Sequence, residues 1–228
     1  MLSAGEWGVV ALTLKVGIVA VVLTLPVAFG LAWVLARARF PGKVLLDAFV
    51  HLPLVVPPVV TGWLLLLAFG PLGPVGRLLA AAGTGVMFRW TGAALAAAVM
   101  ALPLMVRAMR LSIEAVDRRL EGAARTLGAG RWRTFRTITL PLSRPGVLAA
   151  AVLGFARGIG EFGATITFVA SVPGETQTLP LAIYAALQQP DGDATVWRLA
   201  LVSVALSLAA LVASEALARR GGRGTHVL

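Results

Sequence analysis

LEGAARTLGAGRWRTFRTITLP, residues 120–141, is the most charged stretch of an otherwise apolar chain. Arg125, Arg131, Arg133 and Arg136 lie within it, and Arg119 stands just ahead. Its interior is patterned. Glu121-Gly122-Ala123-Ala124 opens a short helix, and Ala123, Ala124 and Leu127 fall on one small apolar face. Gly128 stands where a helix C-terminus takes a residue able to adopt positive φ. From Arg131 to Thr139, arginines alternate with Trp132, Phe135 and Ile138, an amphipathic run suited to a membrane surface. Leu140-Pro141 is expected to end this run, with Pro145 opening the next apolar segment.

Outward from this stretch the chain reads as membrane. Of its 228 residues 58% are hydrophobic and 13% charged, whereas soluble domains carry about 45–50% apolar and about 25% charged residues. The net charge of +10 invites a nucleic-acid reading, but the arginines cluster between apolar spans rather than on one soluble face. Without cysteine there is no disulfide framework, thiolate cluster or thiol nucleophile. MLSAGEWGVV lacks a basic n-region and a small-residue cleavage site, so the first apolar segment is expected to stay in the membrane.

A bilayer core of about 30 Å takes about 20 apolar residues as a helix. Five spans are expected, at about 9–36, 48–69, 91–116, 146–172 and 197–218, with a cytoplasmic loop over about 117–144. They form one all-α, polytopic transmembrane bundle over residues 1–228, with no fixed-period repeat. Pro26 is a candidate kink in the first span, while Pro53 and Pro57-Pro58 interrupt the second. Such breaks survive in a bilayer only where protein or a wet path satisfies the freed backbone groups. Short extramembrane or re-entrant helices are expected around Val75–Ala82 and Leu179–Gln188.

With the N-terminus outside, the inner face holds Arg37, Arg39 and Lys43, the arginines from Arg107 to Arg144, and Arg219, Arg220 and Arg223. That is fifteen of 20 basic residues, against Arg77 and Arg89 in outer loops, so the C-terminus is expected inside. Trp7, Trp90 and Trp197 then form an outer aromatic belt.

Within the fourth span, Arg157 and Glu161 stand four apart and are able to pair on one helix face. Charges inside a bilayer normally face a bundle interior or a wet cavity. Gly154 and Gly158 make a small face, and Gly160 and Gly163 add bending or close-packing points. Two readings stay open: an ion pair that locks packing, or a gate in which Arg157 lends positive potential to an anion path. His51 and the acids Glu6, Asp47, Glu175, Asp191 and Asp193 read first as packing or solvated groups. No phosphate-binding loop and no nucleophile–His–acid set is present, so no catalytic residue, bound metal or cofactor is expected in this chain.

Residues 120–141 resemble the cytoplasmic coupling loop of ABC-importer permeases, whose motif is Glu-Ala-Ala, three residues, Gly, nine residues, Ile, one residue, Leu-Pro. Gly128, Ile138, Leu140 and Pro141 match at the family spacing; the triplet is Gly122-Ala123-Ala124, with the acid one residue early at Glu121. GEFGATITFVASVPGETQTLPLAIY (160–184), HLPLVVPPVVTG (51–62) and PLMVRAMR (103–110) are similar to the molybdate-transport permeases within the molybdate, tungstate and sulfate group. The resemblance implies a homodimer in the bacterial inner membrane, two ATPase subunits that use ATP and Mg inside, and an oxyanion-binding protein outside. It implies an ATPase-coupling role for Glu121, Gly122, Ala123, Ala124, Leu127, Gly128, Ile138, Leu140 and Pro141. Pro57, Pro58, Thr61, Arg157, Gly160, Glu161, Phe162, Gly163 and Thr165 are the expected pathway or gate.

The leading expectation is therefore a permease translocating an oxyanion, molybdate first, with tungstate or sulfate/thiosulfate as alternatives. A secondary transporter or channel acting without an ATPase is disfavoured by the coupling loop. A membrane enzyme is disfavoured by the lack of a catalytic cluster.

Overall fold

The computed structural model describes residues 2–222, which are helical with no strand among them. Arg223 and His226 lie outside the described residues, as do the side chains of Arg219 and Arg220. Helix α1 (Ala4–Arg37) opens on a capping box: Glu6 N–H donates to Ser3 Oγ at 3.3 Å, and Ser3 N–H donates to Glu6 Oε2 at 2.6 Å. At 34 residues it is about 51 Å long, well beyond a bilayer core of about 30 Å.

The expected second span is two helices. Helix α2 (Lys43–Val55) and α3 (Pro58–Phe69) meet at 114° across Val56-Pro57. Proline explains the break: Pro57 and Pro58 have no N–H to continue α2, and Pro58 suits the first turn of α3. Helix α4 (Pro74–Ala81) is the short helix expected near Val75–Ala82.

Helix α5 (Trp90–Glu114) runs past Arg107 and Arg110 as expected, and it is the most buried of the long helices. It packs most extensively on α1 and on α8 (Leu140–Ile159). Ala93, Ala94, Ala96, Ala97 and Ala101 let backbones approach closely where lipid gives no hydrophobic drive. Gly154 continues this logic: a Cβ there would lie 2.5 Å from Met105 Sδ.

Helix α6 (Arg118–Thr126) is N-capped by Asp117, whose carboxylate accepts from Arg119 N–H at 2.8 Å. It therefore begins three residues before Glu121, where the sequence places the start. After it, α7 (Arg131–Thr134), a π turn (Phe135–Thr139) and α8 form one helix of 29 residues. Leu140-Pro141 does not end the amphipathic run. The ring of Pro141 would crowd the carbonyl of Thr137 in a regular helix; the wide turn just before it, with Leu140 N–H bonded to Phe135 O, lets the helix continue.

The fourth span also differs from its expected 146–172. It starts at or before Leu140 and stops at Ile159; α9 (Gly163–Val169) is a separate short helix after the break at residues 160–162. Helix α10 (Leu179–Leu187) matches the expected short element, and α11 (Asp193–Gly222) begins before residue 197. Among the described residues four helices are thus long and apolar enough to cross a membrane, and the bent α2–α3 pair makes a fifth crossing when counted as one.

Both ends of the bundle are pinned by long-range arginine contacts. Arg198, near the start of α11, pairs with Glu6 at 2.8 Å. At the other end Arg37 Nη2 donates to Ile113 O at 3.1 Å, satisfying a last-turn carbonyl of α5.

Candidate functional site

The two interrupted spans meet each other. A Cβ on Gly62 would lie 2.5 Å from the carbonyl oxygen of Ala164, and one on Gly163 would lie 2.8 Å from Pro58 Cβ. Helices α3 and α9 cross at these glycines, so the breaks at Pro57-Pro58 and at Gly160–Phe162 adjoin. Of the expected pathway residues, Pro58 and Gly163 touch directly, while Thr61 and Thr165 are buried on the crossing helices. Thr61 also borders an apolar cavity of about 460 Å³ between α2, α3 and α5. Phe162 packs instead on Tyr184 of α10, ring centroids 5.1 Å apart.

Arg157 and Glu161 pair as the spacing suggests, but not along one helix face. Arg157 is in the last turn of α8, where a cation favours the helix dipole. Glu161 is in the break. Its second oxygen, Oε1, accepts from Ala164 N–H at 2.8 Å and so caps α9. The carboxylate is 2% exposed and satisfied on both sides, whereas the Arg157 side chain is 26% exposed. Among the described residues the guanidinium has no other protein partner, which leaves donors open to an anion beside the break. Gly160 closes α8 at φ −90°, and a Cβ there would meet only ordinary contact at 3.7 Å. Its bend needs no left-handed backbone.

At the opposite, arginine-rich end, Gly128 takes φ +84° and ends the turn after α6. This is the conformation expected of it. Helix α6 has two unlike faces. Leu120, Ala123, Ala124 and Leu127 lie on one, and Leu127 is 88% exposed. Arg118, Glu121, Gly122 and Arg125 lie on the other. Gly122 thus does not share the small face of Ala123 and Ala124, although it precedes them directly. Glu121 turns back into its own chain: Arg37 Nη2 donates to Oε1 at 2.9 Å and Thr139 Oγ1 donates to the same oxygen at 2.7 Å. Leu140 and Pro141 continue the helix beyond the π turn, and Ile138 is half-buried within it.

His51 and Asp47 are held by protein contacts rather than left open to a ligand. His51 Nδ1 lies 2.9 Å from Asp47 O, and Asp47 binds Arg110 at 3.0 Å. Sequence reasoning missed the ties of Arg37 to Glu121, of Arg110 to Asp47 and of Arg198 to Glu6 because these partners lie 63 or more positions apart. A charge near the end of an apolar helix was the only local signal.

Comparison with known proteins follows the same outline. The family model described as "Binding-protein-dependent transport system inner membrane component" matches residues 7–222. The molybdenum transport system permease protein ModB of Escherichia coli (strain K12) is 55% identical over 228 residues, covering 98% of this chain and 100% of that protein. ModB of Haemophilus influenzae is 53% identical, covering 94% of each. Among solved structures, a bacterial ABC transporter involved in alginate import matches with a TM-score of 0.72 at 19% identity, over 98% of this chain and 81% of that one, and supports the fold. The chain is a multi-pass membrane protein, and it belongs to the family of inner-membrane components of binding-protein-dependent transport systems.

Proposed function

We propose that this chain is the permease subunit of an ATP-driven importer that carries an oxyanion, molybdate, across the cytoplasmic membrane. The observation that carries this is the end-to-end match to a molybdenum permease at 55% identity. The fold supplies what such a role needs. The adjoining breaks place irregular backbone, glycines and an intramembrane arginine at one point, which membranes tolerate only where protein or water surrounds them. The open donors of Arg157 suit an anion, while Glu161 holds the arginine and starts α9.

In this reading two copies form the pore, with the N-terminus outside and the C-terminus inside. The apolar face of α6 docks, helix in groove, on an ATPase subunit that binds ATP and Mg. An external binding protein selects the oxyanion. ATP-driven closure moves α6, and the Glu121–Arg37 and Glu121–Thr139 contacts pass that movement to α1 and to the helix containing α8. Glu121 thereby acts within the permease rather than at the ATPase surface.

The test is uptake by proteoliposomes holding this chain, its ATPase and its binding protein, with molybdate, tungstate and sulfate compared. ATP-dependent molybdate uptake that outcompetes sulfate is expected. Uptake that proceeds without the ATPase, or a preference for sulfate, overturns the reading.

A further inference from the structure

The reverse face of α6 borders a polar cavity of about 410 Å³ between the end of α1 and the π turn. Arg37, Arg118, Arg125 and Arg131 line it against one carboxylate, that of Glu121. Arg37 is committed to Glu121 and to the end of α5, yet its Nε is buried without a partner. Arg118, Arg125 and Arg131 are exposed and have no protein acceptor among the described residues. Three free guanidinium groups around one neutralised pair make a site for a phosphate-type anion, to which arginine presents forked donors.

The surroundings favour a lipid source. Phe29, Trp33 and Arg37 recur every four residues along α1, so one face runs from the apolar span directly to the cavity. Trp33 meets Phe135 edge-on with centroids 4.9 Å apart, and Trp132 stacks on Phe135 at 5.3 Å while 68% exposed. An exposed tryptophan beside arginines at the end of a span marks the headgroup level. Basic pockets between helices at that level take acidic headgroups.

We infer that this cavity binds the phosphate of an anionic phospholipid, with an acyl chain along the Phe29–Trp33 face. A lipid held there bridges α1, α6 and the π turn. It occupies the side of α6 opposite Leu120, Ala123, Ala124 and Leu127, so it leaves that apolar face free.

Native mass spectrometry of the full-length chain, released from micelles doped equally with phosphatidylglycerol and phosphatidylcholine, tests this without any ATPase. Its outcome is therefore independent of the transport reading. Retention of phosphatidylglycerol over phosphatidylcholine is expected. Arg118→Gln/Arg125→Gln should weaken it about twenty-five-fold, from about fivefold for each arginine near an anionic lipid. Arg133→Gln/Arg136→Gln, with equal charge lost outside the cavity, should leave it unchanged. Both pairs are exposed, and matched thermal melts confirm that folding is unaffected. Equal losses in the two double variants, or no headgroup preference in the wild type, overturn the proposal. Displacement of the lipid by inorganic phosphate would show that the free anion is the ligand, and overturns the lipid assignment.

Discussion

Arg37 Nη2 and Glu121 Oε1 lie 2.9 Å apart across 84 positions of sequence, joining the end of α1 to α6. Both side chains are mostly buried, and the same carboxylate oxygen accepts from Thr139. Glu121→Ala removes both contacts and leaves Arg37 a buried cation with fewer acceptors. A charged hydrogen bond is worth about 1.5–3 kcal/mol, and the thermal midpoint should fall accordingly. Hydrogen exchange should also rise in residues 118–127. Glu121→Gln keeps an acceptor and should lose less. Equal protection of α6 in wild type and Glu121→Ala would show that the helix is held by other contacts.

The apolar face of α6 should act at the ATPase and nowhere else. Leu127→Glu changes a side chain that is 88% exposed, so stability should move by no more than about 0.5 kcal/mol. Co-purification of the ATPase should nevertheless fall sharply, as it should for Ala124→Trp. Gly128→Leu acts differently. There is open space around a Cβ at Gly128, but φ +84° costs a side-chain-bearing residue about 1–2 kcal/mol. Coupled transport that survives Leu127→Glu and Ala124→Trp unchanged rules out docking through this face.

The crossing of α3 and α9 should be sensitive to a single methyl group. Gly62→Ala places its Cβ 2.5 Å from the Ala164 carbonyl oxygen, a backbone atom that cannot swing aside. Overpacking of this kind costs about 1–3 kcal/mol. Gly160→Ala, with nothing closer than 3.7 Å, and Gly30→Ala, in open space, should be nearly silent. Thermal melts in one detergent rank the three variants. A Gly62→Ala protein as stable as Gly30→Ala is incompatible with the close crossing.

Much of this architecture was legible in the chain because its signals are local. Hydropathy marks the spans, Pro57-Pro58 marks the first break, and Gly128 marks the end of α6 by the conformation it alone takes cheaply. The second break was hidden. Arg157 and Glu161 stand at helical spacing, and a pair that closes across a break looks the same in sequence as one along a helix. Pro141 misled in the opposite direction: a proline that stops a regular helix is accommodated by a π turn, which leaves no mark in composition. Glu121 shows the general limit. Its partner Arg37 is one of many arginines, and only the packing of α1 on α5 selects it.

Sidedness is accessible because the chain has no cysteine. Ser3→Cys and Gly85→Cys should react with an impermeant thiol reagent added to intact cells, and Thr126→Cys should not. Gly85 suits the loop between α4 and α5 because a Cβ there meets nothing within 4 Å, whereas one on Gly73 would strike the carbonyl oxygen of Ala68 at 2.4 Å. Labelling of Thr126→Cys from outside reverses the proposed orientation.

The Arg157–Glu161 pair decides whether the break is a packing device or part of the anion path. Glu161 caps α9 through Ala164 N–H as well as binding Arg157, so replacing both residues by leucine also removes the cap, a loss of about 1 kcal/mol. Arg157→Leu/Glu161→Gln is cleaner: the glutamine carbonyl still accepts from Ala164 and no charge is stranded. Arg157→Leu alone strands Glu161, which is 2% exposed, and breaking a buried pair costs about 3–5 kcal/mol. A packing role therefore predicts that the single variant is unstable and that the double variant recovers both stability and uptake. The path role predicts a split: stability recovers but molybdate uptake does not, because the open guanidinium donors beside the break are gone. We expect the split, with uptake at least tenfold below wild type at matched thermal stability. Wild-type uptake by the double variant in proteoliposomes would reduce Arg157 to a partner for Glu161.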